Sequence, residues 1–394
     1  PVGAHARPWG LWFNPLPWSI LVAGLSWVVL MLRQVPCQQH VYGTTVNTYA
    51  RLCYSDIPLL YQGNGVATGA GLYSEAGLTH PPLVGALVAV CRWLTGLFGA
   101  DVGASATGQE QLDASYLFFV LTAVVLFVSF LAVVVVQAEL GAGSAVSFSK
   151  RACSALAARS APPSGRGVAT RSFDALLVAA APVVMASGLI NWDMLAVALV
   201  GLGVLAWARC RPLVAGVALG AAFSTKFFPV LVLVALALVC RRGARMGAWR
   251  ACLGGFAAAW ALINAPLLLT DPHGWSLYWS SSIGRGADLG SLWYVFELMG
   301  LRVPGVNAVC LLLMAAALCA IALLVRRAPR RPRTAQVILL VLIAFAVCTK
   351  VYAPQCALWL LPFVVMARPR VFDWAVWNIA ELVYFFAVWG FLDG

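Results

Sequence analysis

Eleven apolar runs govern what this chain can fold into: roughly 11–32, 115–138, 174–190, 194–208, 212–225, 229–240, 251–270, 305–325, 335–349, 355–367 and 372–391. A helix of about 20 apolar residues spans a bilayer, and most of these runs approach that length, although Pro and Gly shorten several. With 62% hydrophobic and 10% charged residues, the chain lacks the polar surface of an ordinary soluble enzyme and the low hydrophobicity of a disordered one. The reading is an all-α integral membrane protein, a polytopic bundle of about eleven transmembrane helices. No polar block is long enough for a separate soluble domain, so residues 1–394 form one unit.

The formal net charge of +12 would suggest nucleic acid in a soluble chain. In a membrane chain Lys and Arg collect in cytoplasmic loops instead. The run 82–98 is short, carries Arg92 and precedes an acidic stretch, so it reads as a helix lying at the outer interface within a first extracytoplasmic loop over 33–114. With that helix non-spanning and the N-terminus inside, 19 of the 26 Lys and Arg fall on the cytoplasmic side. Counting 82–98 as a span would put the basic runs outside. The charge is therefore a topology signal, and nucleic-acid binding is not expected. The longest cytoplasmic loop, 140–173, is basic and rich in Ser, Ala and Gly, and reads as mobile. The first span has no clear cleavage site after it and reads as a retained anchor.

Of 11 cysteines only Cys37 and Cys53 fall in the long outer loop, where an oxidising compartment permits a disulfide. The other nine read as small apolar fillers, and no His/Cys spacing matches a zinc site.

Once the loops are placed, the polar residues outside the inner loops gather on one face. Lys226 and Lys350 sit at the mouths of apolar helices, in turns too short to be solvated loops. An ammonium near hydrocarbon needs a partner, and an anionic ligand is one candidate; reaching for lipid headgroups is the other. Asp56, in Cys53-Tyr54-Ser55-Asp56-Ile57-Pro58, has aromatic and apolar neighbours that raise a carboxyl pKa by desolvation, which suits a general base. An Asp before a Pro turn is equally a loop cap. Asp193, in Asn191-Trp192-Asp193, fits a helix N-cap. Glu75, His80, Asp193, His273, Asp288, Tyr352 and Gln355 are the candidate sugar contacts among these outer residues, and the aromatics that crowd the same loops suit both an interfacial belt and a stacking platform for sugar rings. The chain has no phosphate-binding glycine loop, and Gly63-Asn64-Gly65 followed by Gly69 does not match the dinucleotide spacing. It has no Asp-x-Asp motif for a metal-held nucleotide sugar either. A transferase working outside the plasma membrane needs an activated donor that arrives within the bilayer.

Five ordered stretches carry a resemblance: Cys53 to Ile57, Asn191-Trp192-Asp193, Ser224 to Pro229, Arg285-Gly286-Ala287-Asp288-Leu289-Gly290-Ser291-Leu292-Trp293, and Lys350-Val351-Tyr352-Ala353-Pro354-Gln355. The chain resembles the actinobacterial polyprenyl-phosphate-dependent glycosyltransferases of the GT-C superfamily, in particular glycosyltransferase family 87, which includes mannosyl- and arabinofuranosyltransferases. The resemblance implies a GT-C-type bundle and an inverting transfer from a polyprenyl-phosphate sugar, mannose first, to a cell-envelope glycan or glycolipid. It implies a loop carboxylate, Asp56, acting as base, with Lys226, Lys350 and Arg285 holding the donor phosphate. No metal and no further cofactor are required. Where many relatives have an acidic-aromatic-Pro sequence, this chain has Thr79-His80-Pro81-Pro82. A lipid-linked sugar flippase or transporter is the main rival, hinted at by Glu381 inside the last span, and a scaffold that binds anionic lipid through its Arg clusters is another.

Overall fold

The computed structural model describes residues 14–39, 41–63, 65–100, 103, 105–141 and 172–394. The N-terminal Arg7 and most of the basic loop 140–173 lie outside the described residues. All regular structure among the described residues is helical. In chain order the α-helices are α1 Pro15–Gln34, α2 Asp56–Gly63, α3 Pro82–Leu97, α4 Gly108–Gly141, α5 Ala175–Ala179, α6 Pro182–Ser187, α7 Asp193–Ala208 and α8 Pro212–Phe223. They continue with α9 Pro229–Arg242, α10 Met246–Thr270, α11 Pro272–Gly284, α12 Leu292–Leu298, α13 Val306–Arg327, α14 Thr334–Cys348, α15 Ala357–Ala367 and α16 Val371–Asp393.

The starts of these helices follow from local chemistry. Proline opens α1, α3, α6, α8, α9 and α11, where its missing N–H has no helical partner to lose. Asn14 caps α1 by accepting from the Leu16 amide at 3.1 Å, and Asp271 caps α11 by accepting from Gly274 at 2.8 Å. Each of the eleven apolar runs contains α-helix within its described residues. Among the described residues five helices are long and apolar enough to cross a membrane: Pro15–Cys37, Gly108–Gly141, Met246–Thr270, Val306–Arg327 and Val371–Asp393. The others are shorter, because an apolar run sets where a helix is buried while Pro and Gly set where it ends. The run 174–190 is cut into α5 and α6 because Pro182 cannot donate into the preceding turn. The 12 residues of α8 extend only about 18 Å, against a hydrocarbon core of about 30 Å.

One large apolar core joins α1 to α4 with α7, α8, α9, α14 and α15. A smaller cluster ties α16 to the first loop through Ile190, Phe385, Val388 and Trp389, with Tyr49 and Tyr54 packed on it. Helices α8 and α10 touch backbone to backbone. A Cβ at Gly216 would land on the Cys252 carbonyl, one at Gly220 on the Phe256 carbonyl, and one at Gly255 on the Leu213 carbonyl. Gly216 and Gly220 are four apart, the small-residue spacing that lets membrane helices approach closely. Gly216→Val is therefore expected to destabilise the protein by about 1–3 kcal/mol, read as a lowered unfolding temperature in detergent. Gly254→Ala, at a position with open space, is expected to leave that temperature unchanged.

Cys37 and Cys53 are bonded, with Cα atoms 5.8 Å apart, and staple the start of the first loop to the end of α1. Cys210, read as a filler in the sequence, is instead disulfide-bonded. The segments read as outer turns are cross-linked at one end of the bundle by backbone hydrogen bonds. The Asp56 amide donates to the Ile190 carbonyl at 2.7 Å, and the Leu83 amide to Ser224 at 3.0 Å. Asp288 donates to Lys350 at 2.9 Å and Tyr352 to Leu289 at 3.1 Å.

Candidate functional site

These cross-links enclose a cavity of about 480 Å³. Its walls carry Asp56 from the start of α2, Thr79 and His80 from the turn before α3, and Asn191 from the turn before α7. Lys226 comes from the α8–α9 turn, Arg285 and Asp288 from beyond α11, and Gln355 from the turn before α15. Residues far apart in the chain meet because each lies where a helix begins or ends, at one end of the bundle.

Asp56 is the first residue of α2 and the Tyr54 hydroxyl donates to its Oδ1 at 2.7 Å. Tyr54 is fixed by stacking on Tyr49, centroids 5.2 Å apart, and by Trp389 at 5.4 Å. Burial pushes the Asp56 pKa above the ordinary carboxylate range; the Tyr54 hydrogen bond and the charge of Lys226 pull the other way without cancelling it. His80 packs edge-on against Trp192 at 5.1 Å. Burial, and then the neighbouring Lys226 charge, lower its pKa to about 3, so it is a neutral imidazole at working pH.

The Lys226 ammonium lies 3.1 Å from Asp193 Oδ1, and the Asp193 side chain has no exposed surface. Asp193 does not line the cavity; it backs Lys226 and neutralises it. Asp193 is the first residue of α7 and not its N-cap; Asn191, two residues before it, accepts from the Asp193 amide at 3.0 Å. Arg285 and Asp288 form a second ion pair at the rim, at 3.4 Å.

Other expected contacts stand elsewhere. Lys350 is placed away from the cavity lining, and its ammonium is spent on the chain itself: it donates to the Ile283 carbonyl at 2.9 Å, to the Arg285 carbonyl, and to Asn307 Oδ1 at 2.6 Å. An ammonium has three protons, and all three are used. Lys350 thus fastens the turn that carries Arg285. Tyr352 lies outside the lining too, donating to Glu381 Oε1 at 2.9 Å. Glu75 accepts from the Gly71 amide at 2.9 Å on an exposed turn. His273 sits in the first turn of α11, away from the cavity, and its carbonyl accepts from Ser276 at 2.8 Å. Lys350→Met is expected to cost about 1–3 kcal/mol of stability while changing donor affinity less than the same change at Lys226. Thermal unfolding and donor titration of the two variants side by side check this.

Tyr278, one of the outer aromatics read as a belt or a stacking platform, lines the cavity, and so do Ser281, Ser282, Phe345 and Trp359, which the sequence reading missed. A signal for the two serines was present. Tyr278, Ser281, Ser282 and Arg285 are spaced by three, four and seven along α11 and its end, which puts them on one helical face. Phe345 and Trp359 lie inside strongly apolar helices, where an aromatic facing a cavity cannot be told from one facing the core. Among the described residues no three His, Cys, Asp or Glu side chains come together as a metal site.

The arrangement places a hydrogen-bonded carboxylate of raised pKa opposite two cations in an aromatic-walled cavity. No protein-family model matches the chain, and no curated protein does.

Proposed function

We propose that the chain is an inverting membrane glycosyltransferase that moves a sugar, mannose first, from a polyprenyl-phosphate donor to a cell-envelope glycan or glycolipid on the outer face of the plasma membrane. In this reading the eleven helical runs form a GT-C-type bundle, α3 lies at the outer interface, and the cavity opens extracytoplasmically. The observation that carries it is the convergence of Asp56, Lys226 and Arg285 on one cavity.

The chemistry is a single in-line displacement. The acceptor hydroxyl oxygen bonds to the anomeric carbon as the bond from that carbon to the phosphate oxygen breaks, and the electron pair departs with the polyprenyl phosphate. Asp56 takes the hydroxyl proton. Lys226 and Arg285 stabilise the charge that grows on the leaving phosphate, as cations held in place beforehand by their ion pairs with Asp193 and Asp288. Tyr49, Tyr278 and Trp389 put aromatic carbon in the cavity wall, apolar surface suited to the C–H groups of a sugar. His80, neutral by virtue of its burial, offers hydrogen bonds without adding charge.

The Glu381 hint toward transport weakens beside its hydrogen bond to Tyr352, which gives that half-buried carboxylate a local partner. The test is the full chain reconstituted in vesicles with labelled polyprenyl-phosphate mannose and a mannosylated glycolipid acceptor, with decaprenyl-phosphate arabinose in a parallel arm. Label in the glycolipid from the mannosyl donor supports the reading, and label from the arabinosyl donor moves it to that sugar. Label that crosses the bilayer with no product formed would replace it by a flippase.

A further inference from the structure

A second cavity, of about 250 Å³, lies on the other side of α2. Successive residues of a helix are rotated by about 100°, so α2 presents three faces. Asp56 looks into the first cavity, Ile57 and Tyr61 are buried in the core, and Pro58, Leu59 and Gln62 line the second cavity. The opposite wall is one face of α4, with Leu112, Ser115, Tyr116 and Phe119. The Cys37–Cys53 disulfide and the amides of Gln34, Gln38 and Gln39 close the third side.

The lining is chemically selective. Among the described residues its lining has no Lys, Arg or His, so the described lining offers an anion no counter-charge. Its one carboxylate, Asp113, accepts from Gln109 at 3.1 Å. An acyl chain would strip water from the Gln38 and Gln39 amides and return no hydrogen bonds, at a cost for each buried amide. Gln62 already donates to Ser115 at 3.0 Å, whereas Gln38 and Gln39 make no side-chain hydrogen bond among the described residues. Phe119 is buried at the floor, and Leu59 and Tyr116, each about half exposed, stand at the mouth. Neutral amides around an apolar, aromatic floor match a ligand with C–H faces and a girdle of hydroxyls.

We infer that this second cavity is a binding site for a neutral saccharide unit. The inference rests on the transferase reading for its purpose: it would hold a sugar of the acceptor beyond the one that reacts. Asp56 and Gln62 are six residues apart on α2, about 9 Å along its axis, a separation on the scale of a short oligosaccharide. Binding at such a remote point orients the acceptor hydroxyl against Asp56.

Binding is tested separately from catalysis. Saturation-transfer NMR on the detergent-purified full chain, with mannotriose as probe, is run on the parent, on Leu59→Trp, which fills the cavity mouth, and on Leu262→Trp, the same change on a distant exposed face of α10. The expected result is trisaccharide binding by the parent and by Leu262→Trp, weakened at least about tenfold, or about 1.4 kcal/mol, by Leu59→Trp. Tyr116→Ala, which removes an exposed ring and adds no bulk, is the second variant should Leu59→Trp fail to fold, and the same weakening is expected. Equal binding by the parent and the cavity variant, or no binding by the parent, overturns the site. A chain that binds mannotriose at this cavity yet transfers no sugar overturns the transferase reading and leaves the site standing.

Discussion

Asp56→Asn is expected to lower sugar transfer by about 10²–10⁴-fold while the protein remains folded. The amide is the same size, still accepts from the Tyr54 hydroxyl as the carboxylate does now at 2.7 Å, and cannot take a proton from the acceptor. Because burial raises the Asp56 pKa, the parent's kcat/KM is expected to rise with pH through a limb lying above the ordinary carboxyl value of about 4. The sign for stability is the opposite. A carboxyl whose pKa is raised on folding binds more protons folded than unfolded, so its contribution to stability is present at low pH and is lost as pH climbs from the unfolded value through the folded one. Tyr54→Phe removes a hydrogen bond that favours the charged form, so the activity limb moves to higher pH still. The measurement is kcat/KM against pH for parent, Tyr54→Phe and Asp56→Asn in the vesicle assay. Transfer by Asp56→Asn at the parent's rate would end the base assignment.

Lys226→Met is expected to remove both stability and transfer. Its partner Asp193 has no exposed surface, while Lys226 retains 19% on the cavity side. Removing one member of a buried pair strands the other charge, at a cost of about 3–5 kcal/mol. The double variant Lys226→Met with Asp193→Asn strands nothing, so it is expected to regain much of the unfolding temperature and none of the activity. Those two readouts separate the roles of the ammonium, since only its stabilising role has Asp193 as its partner. A single variant as stable as the parent would remove the pair from the account of stability. An active double variant would remove Lys226 from the account of phosphate binding.

The helical, membrane-embedded character of this protein was legible in the sequence because it depends on local matters: apolar runs, their proline starts, and the scarcity of charge. The gathering of Asp56, Lys226, Arg285, Asp288 and Gln355 was legible too, since following alternate ends of successive helices places them together, and they do share one cavity. What the residues do there was a different question. Lys226 and Lys350 look alike in sequence, each a lysine at the mouth of an apolar helix. Their environments depend on which groups arrive from elsewhere: Asp193 for one, and for the other the Ile283 carbonyl and the Asn307 amide, 67 and 43 residues away. Hydrogen bonds and ion pairs act over a few ångströms and sequence spacing does not encode that approach, so only the tertiary structure decided that one ammonium faces the cavity while the other ties down a turn. The same holds for α2, whose three faces became a core contact and the walls of two cavities only when α4 and α16 packed around it.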